Sequence, residues 1–455
     1  MKYFIPDDII SIYEKLANAK YEVYFIGGCV RDLILKIPVK DWDLTTNATP
    51  EQVQEVFTDS FYDNSFGTVG VPIGKDGEEK IVEITTFRTE QGFENFRHPT
   101  NVEWGKSLEE DVKRRDFTIN TLAIKIENGN QTLIDYENGL KDLESKIIRA
   151  VGNPEERFKE DALRMLRAIR FATQFSFTIE DKTQKAITNH NSLISHISGE
   201  RIRLELMKML ASEHPFEGVM MLDEVKILEI ILPELTKGKG VSQQRPGRHH
   251  KDDVFTHNVL SLKFCTSQDP LVRFATLLHD VGKPEVAATD ENGFVIFYNH
   301  EVVGARIAKE IADRLHFSKK QREKIYTLIR WHMFTIDEHI TDSAIRRFIR
   351  RVGVENVQDM MDLRIGDRLG GGTQFAESWR LKKFKERLIE QLNPPFSIND
   401  LAINGNDIMR ELNIPPGKDI GIILQKLFEE VDENLELNNK EYLMKRISEI
   451  YKNKV

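Results

Sequence analysis

The sequence predicts a multidomain protein, with an N-terminal α/β module over about the first 150 residues and an all-helical remainder. Three observations predict it. At 455 residues the chain is too long for a single core and long enough for about three domains of ordinary size. Up to about residue 150, amphipathic helical stretches interleave with strand-like ones separated by turn residues. Beyond about 151, apolar residues recur at three-and-four spacing and strand signal almost vanishes.

Taken in order, "DDIISIYEKLANA" predicts a helix, "YEVYFIGG" a strand, and "CVRDLILK" a short helix. "DWDLTT", "TVGVPIG", "KIVEITTF" and "TINTLAIKI" predict further strands, with "KDGEE" and "ENGN" as turns. The helical remainder includes "ERFKEDALRMLRAIRFATQF", "SGERIRLELMKMLAS" and "VRFATLLHDVG". Pro and Gly mark breaks near 232–247, at "LGGGT" (369–373) and at "NPPFS" (393–397).

Composition excludes several classes. Apolar residues at 40% and charged residues at 30% describe a globular chain, and no run approaches the roughly 18 apolar residues of a membrane helix. Asp7, Asp8 and Glu14 stand where a secretory signal would be basic and then apolar, so a cytoplasmic protein without a membrane partner is expected. Cys29 and Cys265 are the only cysteines, which leaves neither a disulfide framework nor a thiolate zinc site. A net charge of −9 argues against indiscriminate nucleic-acid binding. Local basic stretches remain, at 237–251, at "RRFIRR" (346–351) and at "RLKKFKER" (380–387).

The pair in "DWDLTT" is the first chemical signal. Residues i and i+2 of a strand face the same way, so Asp41 and Asp43 project together and suit a magnesium ion, which takes oxygen ligands beside substrate phosphates. Alone, such a pair is a common polar strand edge. Gly27 and Gly28 end the preceding strand at a helix start, where backbone N–H groups can meet a phosphate with no Cβ in the way. Arg31 adds charge there, Asp32 can cap or orient, and Cys29 suits packing better than nucleophilic attack. Together these are the parts for attack by a hydroxyl on an α-phosphate. "KRRDFTINTLAIKI" adds Arg114, Arg115, Asp116, Thr118 and Asn120, and "LIDYENGLKDL" adds Asp135 and Gly139 at a turn.

In "RFKEDALRMLRAIRFA", read as one helix, Asp161 and Arg164 share a face and Glu160 can tie the arginine. Cytosine and adenine present an exocyclic amino donor beside a ring-nitrogen acceptor; guanine and uracil present a carbonyl beside a ring N–H. A carboxylate next to a guanidinium matches the first pattern and opposes the second.

The ordered set "GGCVRD", "DWDLTT", "TTFRTE", "RRDFTIN", "DYENGLKDL" and "EDALRMLRAIRFA" resembles the class II tRNA nucleotidyltransferases, which with bacterial poly(A) polymerases belong to the DNA polymerase beta superfamily. The resemblance implies that Gly27, Gly28, Arg31 and Asp32 hold the triphosphate of CTP or ATP and that Asp41 and Asp43 are catalytic and bind Mg²⁺. It implies that Arg114, Asp116 and Asn120 contact sugar and phosphates, that Arg88 stands at the family's "FR" position, and that Asp161 and Arg164 pair with the incoming base. Glu83 is either a further acid near the metals or a support for its strand. Ala162 departs from the proline that relatives often carry. The stretch 89–106 occupies the place of the family's flexible loop, and its full length argues for an enzyme able to add the terminal A.

A second constellation lies in the helical part: His257, His279, Asp280, His300, His332 and Asp367. Imidazoles with carboxylates suit a divalent transition metal that activates water for phosphoester hydrolysis. The order H, HD, H, H, D, with Lys283 in "HDVGKP", resembles the HD phosphohydrolase superfamily. That resemblance implies one metal at His257, His279, Asp280 and Asp367, with His300 and His332 in reach of a second.

The expected organisation is therefore a polymerase-beta-like nucleotidyltransferase head (1–150), a helical neck and RNA-binding region (151–240), an HD phosphohydrolase domain (241–375) and a C-terminal helical tRNA-binding domain (376–455). The expected function is template-independent addition of CMP and AMP to the tRNA 3′ end. Alternatives are an A-adding enzyme or poly(A) polymerase, a phosphohydrolase with a non-catalytic nucleotide- or RNA-binding head, and a non-catalytic tRNA-binding protein.

Overall fold

The computed structural model describes residues 2–63, 67–74, 80–94, 98–105, 107–244, 252–334, 336, 339–373, 375–392 and 397–452, with the backbone alone for 63, 89–94 and 98–103. The chain forms two compact units, Met1–Thr236 with Arg314–Phe317, and Lys237–Asp313 with Ser318–Val455.

In the first unit, α1 (Asp7–Asn18) precedes β1 (Val23–Ile26), α2 (Gly28–Leu35), β2 (Trp42–Thr46) and α3 (Pro50–Val56). Then come β3 (Phe61–Asp63), β4 (Thr68–Ile73), β5 (Lys80–Thr86), β6 (Arg88–Glu94), β7 (His98–Trp104), α4 (Leu108–Lys113), β8 (Ala123–Glu127), β9 (Asn130–Ile134) and α5 (Gly139–Glu144). Seven of these strands form one mixed sheet in the order β3-β4-β5-β2-β1-β8-β9, in which β2 runs parallel to β5 and the other pairs are antiparallel. α1 is amphipathic and buries Ile9, Ile12, Tyr13 and Leu16; Tyr13 stacks on Phe25 of β1 at 5.2 Å and its hydroxyl accepts from the Ile126 N–H at 2.8 Å.

The structure departs from the expected strands in two places. Thr118–Asn120 of "TINTLAIKI" is a turn of 3₁₀ helix, and β8 begins only at Ala123. Asp116 starts that turn by accepting from the Phe117 N–H and from Asn120, so side-chain hydrogen bonds outweigh the β propensity of the run. In 89–106, expected as a loop, the backbone pairs β6 with β7 as a separate two-stranded ladder. Residues 95–97 and 106 and the side chains of 89–103 lie outside the description, as do the turn 75–79, residues 245–251 of the basic stretch 237–251 and residues 393–396 of "NPPFS".

Helices complete this unit: α6 (Pro154–Glu160), α7 (Leu163–Phe175), α8 (Asp181–His190), α9 (Gly199–Leu210), α10 (Pro215–Glu224), α11 (Leu228–Ile231) and α12 (Pro233–Thr236). The two-residue strands β10 (Ile147–Ile148) and β11 (Thr178–Ile179) pair in parallel. α7 and α9 are tied by a buried ion pair, Arg170 Nε to Glu205 Oε2 at 2.5 Å.

The second unit contains α13 (Val254–Phe264), α14 (Pro270–Leu278), α15 (Lys283–Val286), the short pair β12 (Ala288–Thr289) and β13 (Val295–Ile296), and α16 (His300–Arg314), whose last residue falls in the first unit. It continues with α17 (Lys319–Trp331), α18 (Asp342–Val352), α19 (Val357–Gly370), α20 (Trp379–Glu390), α21 (Gly405–Leu412), α22 (Lys418–Glu433) and α23 (Lys440–Lys452). Ile408, Ile423, Leu427, Val431, Leu443 and Ile447 pack the last three helices around one apolar core. Arginines of "RRFIRR" on α18 turn inward: Arg346 Nε and Arg350 Nη2 donate to the Asp432 carboxylate of α22 at 2.9 and 2.7 Å, and Arg346 also donates to the Asp432 carbonyl. No helix among the described residues is long and apolar enough to cross a membrane.

Candidate functional sites

Parallel pairing of β2 with β5 sets Asp43 directly opposite Glu83, so both carboxylates face the same side of the sheet. Asp41 lies one residue before β2, exposed, and keeps the i, i+2 relation to Asp43. Burial, and next the Glu83 carboxylate, push the Asp43 carboxyl up to about 7 against the pull of Arg115. Oxygen donors gathered at that electrostatic cost are the donor set a hard divalent cation takes. Of the two readings of Glu83, the register favours the acid beside the pair.

Gly27 caps α2 with φ +78°, a conformation that side chains resist, and an added Cβ would lie 2.9 Å from Arg115 Nη1 and 3.9 Å from Asp43 Oδ2. The backbone at the α2 start is thereby brought beside the carboxylates. Gly27→Ala is expected to cost about 1–3 kcal/mol of stability and to raise the KM for nucleotide, which thermal melting and a rate titration would read.

Arg31, expected at the phosphates, is instead directed within the protein: Nε and Nη2 meet Asp32 Oδ1 at 2.9 and 2.8 Å, and Nη1 donates to Asn120 Oδ1 at 2.7 Å. Its guanidinium also lies over the rings of Phe171 and Phe175. Asn120 passes the connection on by donating to Asp116 Oδ1 at 3.0 Å, and Arg167 donates to Asp116 Oδ2 at 2.8 and 2.6 Å. Burial opposes the Asp116 charge, but Arg167 and Asn120 hold its carboxyl well below the usual carboxylate range. Asp111 on α4, fully buried, accepts from both Arg114 (2.6 Å) and Arg115 (3.2 Å). Although burial opposes its charge too, those arginines keep it ionised below the usual range. Cys29 is buried and its thiol is pushed up to about 12, chiefly by burial, in keeping with a packing role. Asp135 accepts from the N–H groups of Gly139 and Leu140, and a Cβ at Gly139 would overlap the Thr118 carbonyl. Thr118 itself donates to Asp142. These last residues shape the turn rather than the cleft.

The expected single helix through Asp161 and Arg164 is broken. α6 ends at Glu160, Asp161 is extended (φ −139°, ψ 105°), and α7 begins at Leu163. The Asp161 carboxylate causes the break by accepting from the Leu163 N–H at 3.0 Å, a local turn that needs no proline at Ala162. The side chains of Asp161 and Arg164 have separate partners, although the Arg164 N–H donates to the Asp161 carbonyl at 3.1 Å. Arg164 donates to Glu160 Oε2 and to the Arg114 carbonyl, each at 2.9 Å, while Asp161 accepts from Arg201 of α9 at 2.9 Å.

A cleft of about 350 Å³ collects these groups: Asp43, Glu83, Arg88, Arg114, Asp116, Asp161 and Arg164 line it, with Arg115, Arg167 and Arg201. A larger opening of about 670 Å³ beside α1, α3 and β4 contains none of them. Sequence reasoning did not single out Asp111, Arg167 or Arg201 for the site. Asp111 stands three and four residues before Arg114 and Arg115, a spacing that would have identified it.

In the second unit His257 (α13), His279 and Asp280 (after α14), His300 (start of α16), His332 (after α17) and Asp367 (α19) come together. His279, His300 and His332 each bond through Nδ1 to the carbonyl three residues earlier, Thr276, Phe297 and Ile329, at 2.7–2.8 Å. Their Nε2 atoms are thereby left for a ligand and fixed in direction. Asp280 faces both ways: Oδ2 lies 3.3 and 3.4 Å from Nε2 of His257 and His279, and Oδ1 lies 3.2 and 3.7 Å from Nε2 of His300 and His332. Two groups able to hold a metal result, His257-His279-Asp280 and Asp280-His300-His332, within each of which the ligand atoms lie no more than 4.8 Å apart. Asp367 Oδ1 approaches His257 and His279 at 3.3 and 3.6 Å, beside the first group. Burial opposes the His279 charge, yet Asp280 and Asp367 raise its pKa to about 10, so charge neutralisation here asks for a cation. Lys283 bonds to Asp280 and Gln243, and an adjoining cleft of about 410 Å³ is lined also by Tyr298 and Arg364.

Both units resemble known proteins. Residues 23–149 match the family model of a poly(A) polymerase head domain, 176–239 that of a probable RNA- and SrmB-binding site of polymerase A, and 260–364 that of the HD domain. The CCA-adding enzyme of Ligilactobacillus salivarius is 33% identical over 99% of both chains, and that of Streptococcus thermophilus is 31% identical over 97% of both. The CCA-adding enzyme of Lactobacillus delbrueckii subsp. bulgaricus is 50% identical over 201 residues; in that alignment the chain spans about half the length of its relative (49%). Among solved structures, the Bacillus stearothermophilus CCA-adding enzyme in complex with CTP superposes with a TM-score of 0.74 over 99% of both chains at 24% identity, a likeness of fold.

Proposed function

The chain belongs to the CCA-adding enzymes, and from that premise we propose that it adds CMP and AMP, taken from CTP and ATP, to the 3′ end of tRNA without a template. The observation that carries the reading is the cleft holding the Asp43–Glu83 pair beside Asp116, Asp161, Arg164 and a ring of arginines, within a chain that the Ligilactobacillus salivarius enzyme matches over 99% of its length.

The tRNA 3′ hydroxyl attacks the α-phosphate; the new O–P bond forms as the bond to pyrophosphate breaks, and the hydroxyl proton is released. Asp41, Asp43 and Glu83 are the residues that would hold divalent metal, proposed as Mg²⁺, which when bound supplies charge stabilisation at the attacking and leaving oxygens. Gly27 and Gly28 open the backbone at α2 to the triphosphate, and Arg88, Arg114 and Arg115 bring positive charge to it. Arg31 and Asp32 act by positioning, since Arg31 holds Asn120, and Asn120 with Arg167 holds Asp116 for the sugar. Asp161 accepts from the exocyclic amine of cytosine or adenine while Arg164 donates to the adjacent ring nitrogen.

In the second unit His257, His279, Asp280 and Asp367 would hold one divalent transition metal and Asp280, His300 and His332 a second, for phosphoester hydrolysis. The proposed organisation is a head over 1–150, a neck and RNA-binding region over 151–240, the HD domain over 241–375 and a C-terminal tRNA-binding domain over 376–455, in a cytoplasmic enzyme.

The test offers the purified protein, with Mg²⁺, a tRNA lacking CCA, a tRNA ending in CC and an unrelated RNA, each with CTP, ATP or both, and sequences the 3′ ends. CCA added to the first tRNA, with addition then stopping, is the expected result. Addition of A alone to the CC end, or a long A tail on any RNA, would replace the named function with A addition or polyadenylation.

A further inference from the structure

The two side chains assigned to the base are fixed by separate partners. Arg164 is fixed by Glu160 and the Arg114 carbonyl, and Asp161 by Arg201. Arg201 is on α9, inside the region matched by the RNA-binding family model and outside the head. Its Nη2 donates to Asp161 Oδ2 at 2.9 Å and its Nη1 to Oδ1 at 3.4 Å, while the Leu163 N–H donates to Oδ1 at 3.0 Å.

An ionised carboxylate has about four lone-pair sites, so these three donors leave about one for an incoming group. The Arg201 and Asp161 side chains are 22% and 20% exposed, and both line the cleft, which is the setting of a site group rather than an internal staple. α9 does not depend on this contact for its place, because the buried Arg170–Glu205 pair and the apolar residues Ile202, Leu206, Met209 and Leu210 already hold it.

We propose that Arg201 is a specificity-determining positioning residue: by clamping the Asp161 carboxylate from α9, it leaves one aimed acceptor for the exocyclic amine of cytosine or adenine. This rests on the assignment of Asp161 and Arg164 to the base. With the clamp in place, the carbonyl of uracil or guanine meets a fixed lone pair and is repelled. Without it, the Leu163 N–H alone holds the Asp161 carboxylate, its second oxygen loses its fixed direction, and the rejection of those carbonyls weakens together with the attraction of the amines.

The experiment measures single-nucleotide incorporation of CTP, ATP, UTP and GTP into tRNA by Arg201→Gln, Arg201→Lys, Asp161→Ala and the unsubstituted enzyme, with thermal melting of each. Expected for Arg201→Gln is a rise of about tenfold in KM for CTP and ATP, a fall of about tenfold or more in selection against UTP and GTP, and kcat for CTP within about twofold. Arg201→Lys, which keeps a donor without the fork, is expected to fall between. Selection lost in Asp161→Ala but intact in Arg201→Gln overturns the role of Arg201 alone. Selection intact in Asp161→Ala overturns the base-reading assignment beneath it. A uniform loss of kcat for all four nucleotides with a lowered melting point in both Arg201 variants would make Arg201 a structural residue and also overturn the proposal.

Discussion

Asp43→Ala is expected to reduce CMP and AMP incorporation by about 10³-fold or more, with little change in folding. The estimate follows from the several kcal/mol of charge stabilisation that the bound ion contributes at the transition state, at roughly 1.4 kcal/mol for each factor of ten. Folding survives because Asp43 is a liability to the apo protein: burial and Glu83 push its carboxyl up to about 7, so its removal relieves repulsion. The same shift gives a pH signature for the unsubstituted enzyme. Below pH 7 the carboxyl binds a proton that Mg²⁺ must displace, so the Mg²⁺ concentration for half-maximal rate is expected to rise as pH falls through 7. Single-turnover incorporation across Mg²⁺ and pH checks both. Residual activity within about tenfold of the parent would remove Asp43 from the chemistry.

Asp280→Asn is expected to empty both metal groups of the second unit at once, because one carboxylate serves His257 and His279 through Oδ2 and His300 and His332 through Oδ1. Loss of a residue that merely orients a ligand already costs about 10–100-fold in affinity, so about 100-fold or more is expected for a shared ligand. Metal stoichiometry by elemental analysis and phosphohydrolysis of a chromogenic phosphoester would both fall to background. Nucleotide addition to tRNA would persist, since the residues assigned to it belong to the other unit. The asparagine keeps the shape of the side chain, which matters because Asp280 is buried against Lys283. Retention of full metal content would show that each group closes without Asp280.

Local periodicity made much of this legible. The parity of β2 set Asp43 toward the cleft, while Asp41 fell just before the strand; the glycines marked the turn into α2, and motif order named the residues that come together in the second unit. What stayed hidden depends on partners distant in sequence or on side chains that override propensity. Arg201 sits in a run whose apolar spacing announces only a helix, and its partner is 40 residues away. The break at Asp161 leaves no proline or glycine as a sign, because the aspartate caps the next helix itself. The strand expected from Thr118 onward gave way to a 3₁₀ turn for the same kind of reason, with Asp116 and Asn120 as the agents. Glu83 needed the neighbouring strand: only the register of β2 with β5 says that it shares a face with Asp43.

The inward turn of "RRFIRR" bears on how binding to a polyanion would respond to salt. Each phosphate neutralised by a protein cation releases condensed counterions, and the slope of log K against log salt counts those releases, at about 0.7 to 0.9 per phosphate. Arg346 and Arg350 share one counterion, Asp432, fixed by folding, so the pair has about one charge rather than two to exchange with an RNA backbone. A cation tally from the sequence therefore overstates that slope at this helix, and the aspartate of α22 acts there as a permanent internal electrolyte.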